Sequence, residues 1–164
     1  VGLEIPGELR SLLDILGYTW PEADETQLIQ MGQSWIAFSG RLNAIVSDAH
    51  STASTVWSEH SGEAITAFQS WWAGEDSPAQ TLSDGANAAV LTGTGLMICG
   101  AIVLALKVAV IAQLAILAAE IVQAVATAAP TFGASLAEIP VFQQLTRTIV
   151  GNLVQEAVMQ LMDG

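Results

Sequence analysis

Hydrophobic positions recur at helical rather than alternating spacing from one end of this chain to the other. Leu9, Leu12, Leu13 and Leu16 predict a short helix over residues 5–16, with Pro6 in its first turn and Gly17 at its end. Tyr18-Thr19-Trp20-Pro21 then reads as a stiff joint, because the residue before a proline is pushed out of the helical region. A long helix is expected from Pro21, with Glu22, Asp24 and Glu25 near its N-terminus, where negative charge suits the helix dipole. Along it Leu28, Met31, Trp35, Phe38, Leu42, Ile45, Ala49 and Val56 alternate steps of three and four, with Thr52 filling the last gap. That is a heptad seam over about four repeats, the pattern of one long helix laid along another.

Trp57-Ser58-Glu59-His60-Ser61-Gly62 interrupts the seam, and Ala64, Ile65, Phe68, Trp71 and Trp72 resume the spacing, so a second helix is expected to start near Gly62. Gly74-Glu75-Asp76-Ser77-Pro78 is a break in which Ser77 suits an N-cap and Pro78 a first helical residue. The next helix is expected from Pro78 to about Ala129, although Gly93, Gly95 and Gly100 each weaken a helix interior by roughly 1 kcal/mol relative to alanine. Residues 130–140 read as a turn-rich joint. A last helix from Pro140 to about Met162 presents Phe142, Leu145, Ile149, Leu153, Val154, Ala157, Val158 and Leu161 on a broad apolar face. The fold expected is all-α: an elongated antiparallel helical bundle, built on a helical hairpin plus a long apolar helix and a C-terminal amphipathic helix.

Charge divides the 164 residues into unlike halves of one domain. Twelve of the sixteen carboxylates precede Gly85, so residues 1–77 form an acidic hairpin half and residues 78–164 an apolar half. Only four basic side chains are present, too few for the phosphate-neutralising patch that nucleic-acid binding needs. The N-terminal VGLEIPGELR has neither a basic region nor an apolar core, so a Sec-type signal peptide is not expected and export would follow another route.

The apolar half is dominated by residues 85–137, whose only charges are Lys107 and Glu120. Gly85 to Leu106 carries no charge over 22 residues, long enough to cross a hydrocarbon layer of roughly 30 Å. Gly93, Gly95, Gly100 and Lys107 therefore mark a candidate membrane segment. Beyond Lys107, Gln113, Glu120, Gln123 and Thr127 fall on one narrow stripe at 100° per residue, with Lys107 pointing the other way. Such a stripe suits a helix largely buried in a bundle with one edge in water, or one lining an aqueous pore. Lys107 and Glu120 cannot pair within one helix, and each is expected to reach the surface, Lys107 by snorkelling past its neighbours.

Candidate chemistry changes this picture little. Asp48-x-His50 and His60-x-x-Glu63 lack the third and fourth ligands a metal site needs, and both histidines read as solvated helix-face residues. Gly93-x-Gly95 has no preceding strand, so it is no dinucleotide fingerprint, and no Gly-x-Ser-x-Gly elbow occurs. The single cysteine, Cys99, reads as a small buried hydrophobe. No catalytic, metal or cofactor site is expected, and the chain is not expected to be an enzyme.

The interruption at Trp57 carries more information. A tryptophan that closes a heptad helix, followed by a glycine that opens another, makes a helix-hairpin turn in which the indole packs over both helix ends. The stretch Val56-Trp57-Ser58-Glu59-His60-Ser61-Gly62-Glu63-Ala64-Ile65-Thr66-Ala67-Phe68 resembles the Trp-x-Gly turn of WXG-type substrates of type VII secretion. The tryptophan, Gly-x-Ala and Phe68 match, whereas Glu59 stands where short members have glycine, leaving Gly62 as the turn glycine. The wider chain is similar to the WXG-like N-terminal domains of large actinobacterial polymorphic toxins, a broad group that includes the N-terminal domain of the mycobacterial necrotizing channel toxin. The supporting stretches are Ile5-Pro6 through Trp20-Pro21-Glu22-Ala23-Asp24, the Trp57 turn, Glu75-Asp76-Ser77-Pro78, the apolar helix and Phe132-Gly133-Ala134-Ser135.

The resemblance implies a secreted or cell-surface targeting and translocation module that precedes a toxic C-terminal domain lying outside these residues. It implies recognition by the type VII machinery, or by a small WXG-like helical partner, through Trp35, Trp57, Gly62 and Phe68. The family's Tyr-x-x-x-Asp/Glu export signal has one formal match, Tyr18 to Glu22, but it crosses a proline joint at the wrong end of the chain and is read as coincidental. Two alternatives stand beside this reading. Residues 85–129 would insert into a membrane or form a pore, or the apolar helix would be covered by self-association in a homo-oligomer.

Overall fold

A computed structural model describes residues 2–131 and 133–163; Phe132, part of the Phe132–Ser135 stretch, lies outside the described residues. The described residues form five α-helices and one 3-10 turn, with no strand among them. In order these are α1 (Gly7–Ile15), α2 (Glu25–Glu59), α3 (Glu63–Trp72), α4 (Pro78–Ala126), a 3-10 turn (Ala134–Ala137) and α5 (Glu138–Asp163). The all-α fold class read from the pattern is the one observed.

Local sequence explains most boundaries. The Ser77 hydroxyl accepts the Gln80 amide at 3.1 Å, so Ser77 caps α4 and Pro78 occupies its first position. α2 starts at Glu25, four residues later than expected, because the Asp24 carboxylate caps it by accepting the Gln27 amide at 3.0 Å. α4 is one unbroken helix of 49 residues through Gly85, Gly93, Gly95 and Gly100. It stops at Ala126, before Pro130 is reached, and the Ser135 hydroxyl ties the following turn back by donating to the Ala124 carbonyl at 2.7 Å. α5 begins at Glu138, so Pro140 sits within its first turn rather than at its start.

The chain forms two compact units, Val1–Gln27 with Ile98–Gly164, and Leu28–Met97; α2 and α4 each contribute to both. In the first, Leu13 from α1, Leu16 just after it, Val110, Leu114 and Leu117 from α4, and Val150 from α5 make the core, with Tyr18, Trp20, Leu106, Ile121, Phe142 and Val154 packed around it. The Tyr18 hydroxyl donates to the Arg147 carbonyl, and a Cβ on Gly151 would lie 2.6 Å from it. Tyr18 thus fastens the joint after α1 to α5.

The second unit is built differently. Its buried residues are small: Gly32, Ser39 and Ala53 on α2, and Ser77, Ala79, Ala86, Ala89 and Gly93 in the cap and first half of α4. A Cβ on Gly32 would meet the Gly93 carbonyl oxygen at 2.5 Å, and one on Gly93 would meet that of Gly32 at 2.6 Å. The two backbones therefore approach as closely as glycine permits.

Candidate partner-binding surface

That small-residue packing corrects the heptad seam. The row expected to be covered contains Leu28, Met31, Trp35, Phe38, Leu42, Ile45, Ala49 and Val56. Leu28, Leu42, Ala49 and Val56 are half-buried, but Met31 (51 % exposed), Trp35 (40 %), Phe38 (40 %) and Ile45 (54 %) face solvent. The covered row is Gly32, Ser39 and Ala53, with Val46 half-buried between them, rotated roughly a quarter-turn round α2 at 100° per residue. Counting large apolar residues located the heptad but not the packing face, because close backbone approach selects small side chains. The result is an uncovered apolar row at heptad spacing. It has internal order: Trp35 meets Phe38 edge-on with centroids 6.1 Å apart, and the Arg41 guanidinium lies 5.9 Å from the Phe38 ring centre.

The row leads along α2 to the Trp57 turn. Trp57 and Phe68 are half-buried against each other, with ring centroids 5.9 Å apart. Phe68 also contacts Trp71 at 6.1 Å and Trp72 at 6.0 Å within α3, so the ring contact from α2 to α3 is made by Trp57 on Phe68 and by His50 on Trp72. Gly62 caps α3 at φ 131°, a left-handed conformation that side-chain-bearing residues rarely adopt, and it is the turn glycine expected from the sequence. His50 is not simply solvated. Its ring stays exposed while Nδ1 accepts the Trp72 indole N–H at 2.9 Å. Nothing in local sequence signals this pair, since 22 residues separate its members. Of the four residues expected to carry recognition, Trp57, Gly62 and Phe68 are brought together at the turn, while Trp35 stands in the row along α2.

The glycines of the segment 85–106 stand in unlike surroundings. Gly93 packs on Gly32, Gly100 is buried, and Gly95 faces open space with no atom within 4 Å of a Cβ. α4 reaches a mean hydropathy of 2.5 over its most apolar 18 residues, yet only 28 % of that window is buried. α4 thus supplies Val110, Leu114 and Leu117 to the core but is less covered than the polar stripe suggests. Gln113 and Glu120 lie at the margin of the buried arc, and Ile98, Leu104, Val108, Ile116 and Val122 form an exposed apolar face beside it.

Lys107 is the sharpest correction. Rather than snorkelling to the surface, it is 3 % exposed and paired with Glu25 at 2.7 Å. It also donates to the Ala23 carbonyl at 2.7 Å and stands 5.7 Å from the centre of the Trp20 ring. Glu25 accepts the Leu3 amide as well. Burial pushes the Glu25 carboxyl up, but the Lys107 ammonium and the backbone amides of Leu3 and Glu25 outweigh burial and lower it from 4.5 to about 2. With 82 positions between its members, the pair leaves no trace in local sequence.

The heptad helix turns at a tryptophan and a second helix is held back on it by aromatic rings, which is a helical hairpin. A WXG100-like domain model matches residues 6–149, and the chain belongs to that family. Membership relates it to the helical proteins of type VII secretion. No curated protein and no solved structure matches the chain.

Proposed function

We propose that this domain is a non-enzymatic export and docking module of a type VII-secreted protein, which engages a helical partner of similar fold through the exposed face of α2. The observation that carries this reading is the uncovered row Met31, Trp35, Phe38 and Ile45. Heptad spacing is what a facing helix reads, and the charge-poor centre of such a row is what a protein interface buries. The aromatic Trp57 turn holds the hairpin that displays the row. A toxic domain following these residues, as in polymorphic toxins, is consistent with such a module, and export then needs no cleaved signal. The test is secretion of a reporter fused to the chain by a host carrying the machinery. Met31→Glu with Ile45→Glu should abolish export while leaving helicity intact. Wild-type export by that folded variant would exclude the row as the recognition face.

A second reading is favoured by one observation, the 28 % burial of the apolar window of α4. In it the exposed face of α4 contacts lipid during translocation.

A further inference from the structure

Residues 101–118, AIVLALKVAVIAQLAILA, hold one charge, Lys107, and it stands inside the most apolar part of the chain. Without it, α4 would run uncharged from Gly85 to Ala119, about 50 Å of helix against a hydrocarbon layer of roughly 30 Å. This charge is turned inward and held at three points: the Glu25 carboxylate, the Ala23 carbonyl and the face of Trp20. The same carboxylate holds the N-terminal arm through the Leu3 amide, and Gly2 is pressed so close that a Cβ there would lie 2.7 Å from it. Beside Lys107 lies a cavity of about 350 Å³ that Glu4, Arg10, Glu22 and Asp24 also line, so further charged groups stand near the lysine end of the pair.

We infer that the Glu25–Lys107 pair is a latch that commits α4 to the aqueous, docked state and keeps this otherwise bilayer-competent helix out of lipid. Buried ion pairs add little net stability compared with well-packed apolar residues, so a pair retained here is better explained by what it prevents. An ammonium on the most apolar stretch opposes transfer into hydrocarbon, and its partner on α2 ensures that leaving the docked state exposes two charges together. The inference rests on the second reading above, that α4 is competent for lipid.

The test is flotation of the purified chain with phosphatidylcholine vesicles, which carry no net charge. Wild type should remain in the aqueous fraction. Glu25→Gln with Lys107→Met should partition into the vesicles on the order of 100-fold more strongly. Equal vesicle binding by wild type and variant would overturn the latch and leave lipid competence standing. A folded variant that stays aqueous would overturn both. Lys107 is the only lysine, so a second route avoids any substitution. The unfolded wild-type chain is acetylated and refolded with vesicles, beside a chain blocked only at its α-amine. Acetylation at Lys107 should move the chain to the vesicle fraction, and no movement would contradict the latch.

Discussion

At the scale of single residues, two glycines of α4 separate packing from propensity. Gly93 abuts the Gly32 backbone, so Gly93→Ala drives a methyl group into a carbonyl oxygen 2.6 Å away. The expected cost is about 1–3 kcal/mol, because backbone cannot yield as a side-chain tip would. Gly95 is two positions on and meets nothing within 4 Å. Gly95→Ala should stabilise the helix by roughly 1 kcal/mol. Thermal denaturation of the two variants should therefore show opposite shifts, and shifts of one sign would refute the close approach.

The Glu25–Lys107 pair makes a second prediction at this scale. The Glu25 carboxyl lies at about 2 in the folded chain against an ordinary 4.5. Its contribution is thus fully present above about pH 4.5 and is lost as pH falls toward 2. Mild acidification to pH 5 should leave it intact, so acid of that strength is no trigger for release. Lys107→Met, which strands a buried carboxylate, should cost about 3–5 kcal/mol at neutral pH. Denaturant titration at neutral pH and at pH 3 checks both, and the difference between wild type and variant should shrink in acid.

Among the elements, local signals were legible and long-range choices were not. Ser77-Pro78 announced the start of α4, Gly62 the start of α3 and Gly17 the end of α1, because caps and turns are decided by neighbouring residues. The heptad on α2 was legible as a period. Which of its two adjacent rows would be covered depended on Gly32 meeting Gly93, a contact between residues 61 positions apart. For the same reason Lys107 resembled a surface lysine until α2 supplied Glu25, and His50 resembled a solvated histidine until α3 supplied Trp72. The turn itself is testable. Trp57 is half-buried against Phe68, so Trp57→Ala should cost about 1–2 kcal/mol, less than a fully buried aromatic, and leave the chain folded. If the turn also serves recognition, export of that variant falls while its circular dichroism is unchanged, and Trp57→Phe recovers part of it.

For the whole molecule, the central fact is how much apolar surface the chain leaves uncovered. Met31, Trp35, Phe38 and Ile45 on α2 join Ile98, Val108, Ile116 and Val122 on α4 and Val141, Leu145 and Ile149 on α5 among the exposed large side chains. Soluble monomers rarely present contiguous apolar patches of more than a few hundred Å². A WXG100-like domain built this way is expected to complete its surface with another helical chain, and a second copy is the partner always at hand. The most direct test is the mass of the purified chain in detergent-free solution, measured by light scattering across a concentration series. The mass should exceed the 17.1 kDa of one chain and fall to that value in the folded Met31→Glu, Ile45→Glu variant. A monodisperse 17.1 kDa wild type would contradict self-association through the row, and an association that the variant leaves untouched would contradict the row as the docking face.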